Sequence, residues 1–317
     1  MKIESTNISE KLGKTDLFIM SSGFEKRCLI LAQKIDVKSV NKAIIFQMLD
    51  SYKESESHKE ILAGLFPNHE IVTYEKNEQY PTYVTFLDKL TEIIQTTLQV
   101  NKLKIVLDCT GFSRDILLIL LKVLHNNAIK NNIQLTISHT PAEKYDEWLT
   151  KGVRRISPIV GYSGLVTPSK KLLLVVLNGF ENERTETIIG SIEPNALILG
   201  QPSKKGSINN DLSRISFQKY NSIKDKFQSI LKREFEFSCT DLSETIGAIE
   251  AIYQEFKEEF NISVTPLNNK ISTLAVAIAA IKNDNIQVCY ASANQYNIEK
   301  ELTPSDYFLV YEIDSTL

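Results

Sequence analysis

The feature that most constrains this chain is a repeat. Asp16–Lys34 reads DLFIMSSGFEKRCLILAQK and Lys171–Ile189 reads KLLLVVLNGFENERTETII, so Gly23-Phe24-Glu25 recurs as Gly179-Phe180-Glu181, 156 positions later. At the same spacing, Lys104–Leu107 and the following Asp108-Cys109-Thr110-Gly111-Phe112-Ser113-Arg114 fall on Phe260 through Thr265-Pro266-Leu267-Asn268-Asn269-Lys270. A third match sets IQLTISHTPAEKY from Ile133 against IQVCYASANQYN from Ile286. Ordered matches at nearly constant spacing mark one unit written twice. The 317 residues therefore divide into two sheet units that share one plan.

Hydrophobic periodicity gives each copy a coarse outline. In the first, strands are expected at Leu17–Met20, Ala43–Met48, Glu70–Tyr74, Ile105–Asp108 and Leu135–Ser138. Helices are expected after Glu25 and at Glu54–Phe66, Tyr83–Val100 and Ile116–Leu124. The second repeats this with Leu172–Leu177, Ala196–Leu199, Ile223–Arg233, Leu242–Phe260, Ile262–Thr265 and Gln287–Ala291, then adds a closing strand, Phe308–Ile313. Short apolar runs alternating with helical periods predict an α/β fold: two tandem Rossmann-like open, mostly parallel sheet units related by internal duplication. Gly, Pro and Ser accumulate in ISPIVGYSGLVTPSKK, which sets the expected boundaries: a first unit over 1–155, a crossover or linker over 156–170, and a second unit over 171–317.

Composition narrows the function classes. Apolar residues make up 43% and charged residues 24%, enough for real cores. The formal net charge is −3 with no long basic run, which disfavours long nucleic acid as a partner but not a small anion in a local basic pocket. No apolar run reaches bilayer length and none follows a basic amino terminus, so no membrane partner and a cytoplasmic location are expected. The four cysteines are widely spaced beside apolar runs and read as reduced core thiols. Four histidines, at 58, 69, 125 and 139, give no metal trio, and neither GxGxxG nor GxxxxGK[ST] occurs. No metal and no cofactor are assigned.

In doubly wound sheets, ligands bind outside the carboxyl ends of the strands, so the polar loops there are the candidates. In the first, Ser22 and Gly23 supply a hydroxyl and a tight turn, and Arg27 suits phosphate or carboxylate; its counterpart carries Gly179 and Arg184. The alternative is that Glu25–Arg27 and Glu181–Arg184 close the turn as internal ion pairs. The second loop places Thr110, Gly111, Ser113 and Arg114 beside the strand-end carboxylate of Asp108, a set suited to phosphate or ribose. Its counterpart offers Asn268, Asn269 and Lys270, and the alternative is a plain helix cap. A third loop contributes Tyr145, matched by Asn294 and Tyr296, which can stack on a base or simply pack. Basic residues also gather at Lys151, Arg154 and Arg155 beside Trp148 and at Lys204–Lys205, where a solvated or mobile surface is the plainer reading. For catalysis the candidates are Glu25, Asp108 and His139, the last two only if the fold brings them within hydrogen-bond reach.

The stretch Thr265-Pro266-Leu267-Asn268-Asn269-Lys270-Ile271-Ser272-Thr273-Leu274-Ala275-Val276-Ala277, leading to Val288-Cys289-Tyr290 and Tyr296-Asn297, resembles the strand, turn and small-residue helix of CRISPR-associated Rossmann-fold (CARF) domains and the related SAVED domains. Lys270 matches the lysine of that turn, while Asn268 and Asn269 stand where glycine and threonine are usual. The resemblance implies a nucleotide second-messenger sensor or accessory component of antiviral defence, acting with a protein partner or as a homo-oligomer, because two copies fill the chain and leave no effector domain. Two other classes stand beside it. One is a nucleotide-processing enzyme, of the N-glycosyl or phosphoribosyl type or a messenger-degrading phosphodiesterase. The other is a non-catalytic subunit of a complex.

Overall fold

The computed structural model describes residues 1–75, 78–97, 102–130, 132–146, 148–299 and 302–313, without the side chains of 128–130. The chain forms two compact units, one of Met1–Lys144 with Ile298–Leu317 and the other of Tyr145–Asn297. Each is a Rossmann-like, mostly parallel sheet flanked by helices, and the duplication read from the sequence is present in the fold.

The first unit is built on β1 (Lys2–Glu4), β2 (Thr15–Ser21), β3 (Val40–Met48), β4 (His69–Tyr74), β5 (Leu103–Asp108), β6 (Ile133–His139) and β13 (Tyr307–Ile313), in the order β1-β13-β6-β5-β2-β3-β4. The β2 to β6 strands are parallel neighbours, and β13 and β1 run antiparallel at the edge. The central strands are buried on both faces, as continuous runs such as Leu17–Met20 and Ile105–Leu107 require. Helices α2 (Arg27–Lys34), α3 (Lys53–Leu65), α4 (Gln79–Thr97) and α5 (Arg114–Lys130) make the crossovers, after a short α1 (Ile8–Leu12). The expected helix end at Val100 lies outside the described residues.

The second unit has β7 (Thr150–Pro158), β8 (Lys171–Leu177), β9 (Ala196–Pro202), β10 (Leu231–Phe237), β11 (Phe260–Pro266) and β12 (Gln287–Tyr296), in the order β10-β9-β8-β11-β12-β7. All neighbours are parallel except β7, which pairs antiparallel with β12. Helices α6 (Asn182–Ile192), α7 (Asn210–Lys226), α8 (Leu242–Phe256) and α9 (Lys270–Lys282) connect them.

Sheet membership differs from the boundaries expected at 155 and 170. Residues 150–155 belong to β7 of the second sheet, where they satisfy the outer edge of β12. The closing strand joins the first sheet, not the second, because Phe308 and Val310 complete a core with Phe18, Met20 and Leu31. The segment after β7 is ordered crossover: Ile159 donates its N–H to the Val288 carbonyl, and Tyr162 accepts from the Val288 N–H. Two further spans are corrected. Ile223–Arg233 straddles the end of α7 and the start of β10, and Leu242–Phe260 is α8 followed by the first residue of β11.

In both units the sheet order reverses between two central strands, β2 and β5 in the first and β8 and β11 in the second. That reversal opens a crevice at the carboxyl ends.

Candidate functional site

At each reversal point the two strand-exit loops press against one another. A Cβ on Gly23 would lie 2.9 Å from the Gly111 carbonyl oxygen, one on Gly111 would overlap the Ser21 carbonyl oxygen, and one on Gly179 would overlap the Leu267 carbonyl oxygen. None of these three glycines has a positive φ. They are glycines because backbone meets backbone, not because the turn is left-handed.

Behind each crossing lies a buried arginine. In the first unit, Arg27 Nε donates to Glu25 at 2.8 Å, Nη2 donates to the same carboxylate oxygen, and Nη1 donates to the Thr140 carbonyl at 2.9 Å. In the second, Arg184 Nη1 donates to Glu181 at 3.0 Å, while Nε and Nη2 donate to the Ala291 carbonyl, the former at 3.0 Å. Arg184 is 3% exposed and lies 4.9 Å from the centroid of the Tyr290 ring. Burial alone would lower its pKa, but Tyr290 and Glu181 beside it more than offset this and hold it above its ordinary value. Both arginines thus tie an acidic residue near the start of a helix to a backbone carbonyl of the strand two places along the sheet, just past the end of β6 in the first unit and within β12 in the second. This matches the internal ion pairs weighed from the sequence.

Around the first crossing, Ser22 donates to Gln47 and sits under the Phe46 carbonyl, and Gln47 in turn donates to Ser51 and Glu56 at 2.6 and 2.8 Å. Asp108, 1% exposed at the end of β5, accepts from the Thr110 N–H at 2.9 Å, and the Thr110 hydroxyl accepts from the Thr140 N–H at 2.9 Å. Ser113 donates to Asp115 at 2.6 Å just before α5, which begins at Arg114. His139 is buried at the end of β6, beside Ser138, which pairs in register with Asp108. Of the catalytic candidates, Asp108 and His139 therefore sit on adjacent strand ends, and Glu25 is engaged by Arg27.

The Gly23 carbonyl of that loop is also met by residues of two helices, neither of them named from the sequence as a site candidate. His58 from α3 has Nδ1 2.7 Å from the Gly23 carbonyl and 3.7 Å from Cys28 Sγ. Burial, and then the nearby Asp108 carboxylate, push the Cys28 thiol up to about 12, so it stays protonated. No local pattern links positions 28 and 58; only the packing of α2 against α3 joins them.

The second crossing has open space beside it. Phe180, Pro202, Cys239, Asn268 and Asn269, from the exits of four strands, line a small cavity with room for about one water molecule. Tyr145, Ser207, Ile208, Leu212 and Ser216 complete its wall. Tyr145 meets Phe180 edge to face, with centroids 5.0 Å apart. Asn268 donates to the Asn178 carbonyl at 2.7 Å and accepts from the Cys239 thiol at 3.2 Å. Asn269 caps α9, accepting from the Ser272 N–H at 2.9 Å in a capping box, and donates to the Cys239 carbonyl at 2.8 Å. Burial pushes the Cys239 thiol up to about 12. Lys270, half-buried, is the first residue of α9. Asn294 and Tyr296 lie elsewhere, on the β12 stretch paired with β7, where Tyr296 stands opposite Thr150. The sequence named Tyr145, Asn268 and Asn269 but not Phe180, Cys239 or Ser216 as contributors to this wall. Ser216 lies on α7, whose helical period was read only from Ile223 onward.

Chemically, the cavity combines an aromatic pair, two amides and the positive end of a 13-residue helix, with cations following at Lys270 and, between the lining residues Pro202 and Ser207, at Lys204 and Lys205. The four cysteines are free and buried. Among the described residues, no helix is long and apolar enough to cross a membrane. No family model matches the sequence, and no curated protein matches it significantly. The scaffold is that of nucleotide-binding Rossmann-type sheets in general.

Proposed function

We propose that this protein binds a nucleotide or another phosphorylated small molecule at the carboxyl edge of its second sheet and passes the signal to a partner protein. The observation that carries this reading is the cavity beside Asn268 and Asn269 at the point where the strand order reverses, with the amino terminus of α9 at its edge. Helix amino termini at such points favour anionic groups through their dipole and their unpaired N–H groups. Asn268, Asn269, Lys270 and Tyr145 are the primary ligand residues in this reading. Arg184 and Gly179 support the loops around them. Ser22, Gly23, Arg27, Thr110, Gly111, Ser113 and Arg114 form the corresponding set of the first unit.

Binding without turnover is favoured over glycosyl transfer or phosphodiester hydrolysis because the carboxylates best placed for chemistry have other work. Glu25 neutralises Arg27, and Asp108 holds the Thr110 N–H. The narrower assignment, a second-messenger sensor or accessory component of antiviral defence, rests on the likeness of the 265–277 segment to CARF and SAVED domains.

A thermal-shift screen against nucleotides, cyclic oligonucleotides and phosphoribosyl compounds, with mass spectrometry of each positive mixture, tests the proposal. Stabilisation by an intact compound, lost in Lys270→Ala, is the expected result, since only ligands that bind the native state raise its stability. Conversion of the compound would make the protein an enzyme, and a flat screen would leave protein partnership alone.

A further inference from the structure

A sheet ends in strands whose outer N–H and C=O groups lack a partner, and such edges recruit further strands unless something blunts them. The two sheets end at β1, β4, β7 and β10, and all but β4 carry such a device. β1 has three residues, with Lys2 and Glu4 forming an ion pair. β10 shifts register between Leu231 and Arg233 and bears Lys232, Arg233, Glu234 and Glu236, with ion pairs from Arg233 to Glu255 and from Glu234 to Lys224. β7 shifts register against β12, exposes Lys151, Arg154 and Arg155, and donates the Gly152 N–H to Glu183.

β4, His69–Tyr74, pairs with β3 in unbroken register, and no described strand lies on its other side. It contains no proline, glycine or lysine, and its one carboxylate, Glu70, is held by Lys42 of β3 at 2.8 Å. The Asn68 and Tyr74 carbonyls accept from Ala43 and Leu49. Successive carbonyls of an extended strand point to opposite sides, so His69, Ile71 and Thr73 aim their backbone groups outward. Ile71 stands in register with Ile45, which shares a core with Leu62 of α3. On that face Ile71 is 40% exposed, and Ile61 of α3 is 44% exposed.

This edge is complementary to itself. When two copies meet antiparallel with Ile71 opposite Ile71 on a two-fold axis, His69 falls opposite Thr73, and each of the three outward residues exchanges its backbone bonds with the residue facing it. The half-exposed Ile71 side chains of the two copies come together on one face. Charge selects the same direction. Glu75 and Glu78 lie exposed beyond the carboxyl end of β4, whereas Lys42 and His69 stand at its amino end. An antiparallel pair sets the acidic end of each strand against the Lys42 end of the other, and a parallel pair would lay acid beside acid.

We propose that β4 is the interface through which two copies of this chain associate, joining their first sheets into one. The interface concerns the first unit alone and is independent of the ligand-binding reading.

Sedimentation velocity of the full chain between about 1 and 200 µM tests it, with a dimer expected at the upper end of that range. Ile71→Lys sets two like charges opposite one another at the axis and should weaken association about a hundredfold. Its circular dichroism should match that of the unaltered chain, which separates lost association from lost folding. The four natural cysteines are buried, so in Ile71→Cys a short bis-maleimide should link two copies through position 71. A chain that stays monomeric throughout, a dimer undiminished by Ile71→Lys, or an Ile71→Cys chain that gives no linked dimer would each overturn the proposal.

Discussion

Arg27 and Thr140 stand 113 residues apart in the chain and are joined by a hydrogen bond of 2.9 Å from the guanidinium to the backbone carbonyl. Arg184 and Ala291 make the matching bond in the second unit. The duplication thus reaches below the surface loops to a buried tie that fixes the first helix of each copy to the far strand. Such a tie is strong evidence of a shared plan, because neither Ala291 nor Thr140 contributes a side chain to it.

Replacing Arg184 with alanine leaves the Glu181 carboxylate and the Ala291 carbonyl without their partner in a buried setting. A loss of about 3–5 kcal/mol in unfolding free energy is expected. The double variant Glu181→Gln/Arg184→Met should lose less than Arg184→Ala alone, since no buried charge is then stranded. Urea unfolding of both variants measures the difference.

The glycines divide into two kinds. Gly179→Ala forces a methyl group into the Leu267 carbonyl and is expected to cost about 1–3 kcal/mol. Gly64 and Gly247 are exposed on α3 and α8, and a Cβ there meets nothing within 4 Å. Their replacement by alanine should stabilise the protein by about 0.5–1 kcal/mol each. Thermal denaturation of the three single variants separates the kinds by sign.

Alkaline pH should destabilise the fold. Burial raises Cys28 and Cys239 from 9.0 to about 12 and Cys289 to about 11. A group whose folded pKa is raised contributes stability below its unfolded pKa and loses it as pH rises through the folded value. The loss therefore runs from about pH 9 to pH 12, and buried Tyr74 and Tyr162, also raised by burial, add to it in the same direction. Midpoints of thermal unfolding recorded across that range should fall steadily, and Cys239→Ala should flatten the decline. A midpoint independent of pH up to 12 would contradict the burial of these thiols.

Asn269 separates folding from ligand binding. Asn269→Ala removes the cap of α9 and the bond to Cys239, at a cost of about 1–2 kcal/mol. Asn269→Asp keeps a capping oxygen that suits the helix dipole but replaces the donor to the Cys239 carbonyl with a carboxylate oxygen, so it should recover only part of that loss. Its added negative charge at the cavity wall should nonetheless abolish binding of a phosphorylated probe. Unfolding curves and titrations on the same two variants test both halves.

Much of this architecture was legible in the sequence because its signals are local. The Gly-Phe-Glu repeat, the apolar runs of β2, β5, β8 and β11 and the polar exits after them all announce themselves within a few residues. What escaped was settled by partners distant in the chain. Arg27 and Arg184 bond to backbone carbonyls, which leave no mark on residue type. Cys28 and His58 meet only because α2 packs on α3. β13 reads equally well as a strand of either sheet until Phe308 and Val310 find the core of the first. Ser216 looks like any polar helix residue, and only the shape of the second unit shows that it is buried.

The return of β13 to the first sheet sets an order of assembly. Residues 145–297 are contiguous and leave the ribosome with every strand of their own sheet in hand. The first sheet, although its β2 to β6 precede them, waits with the outer side of β6 bare until Tyr307–Ile313 arrive. Of the two units, the one whose translation starts earlier is completed later, and in that interval the open edge of β6 is exposed to mispairing with a neighbour.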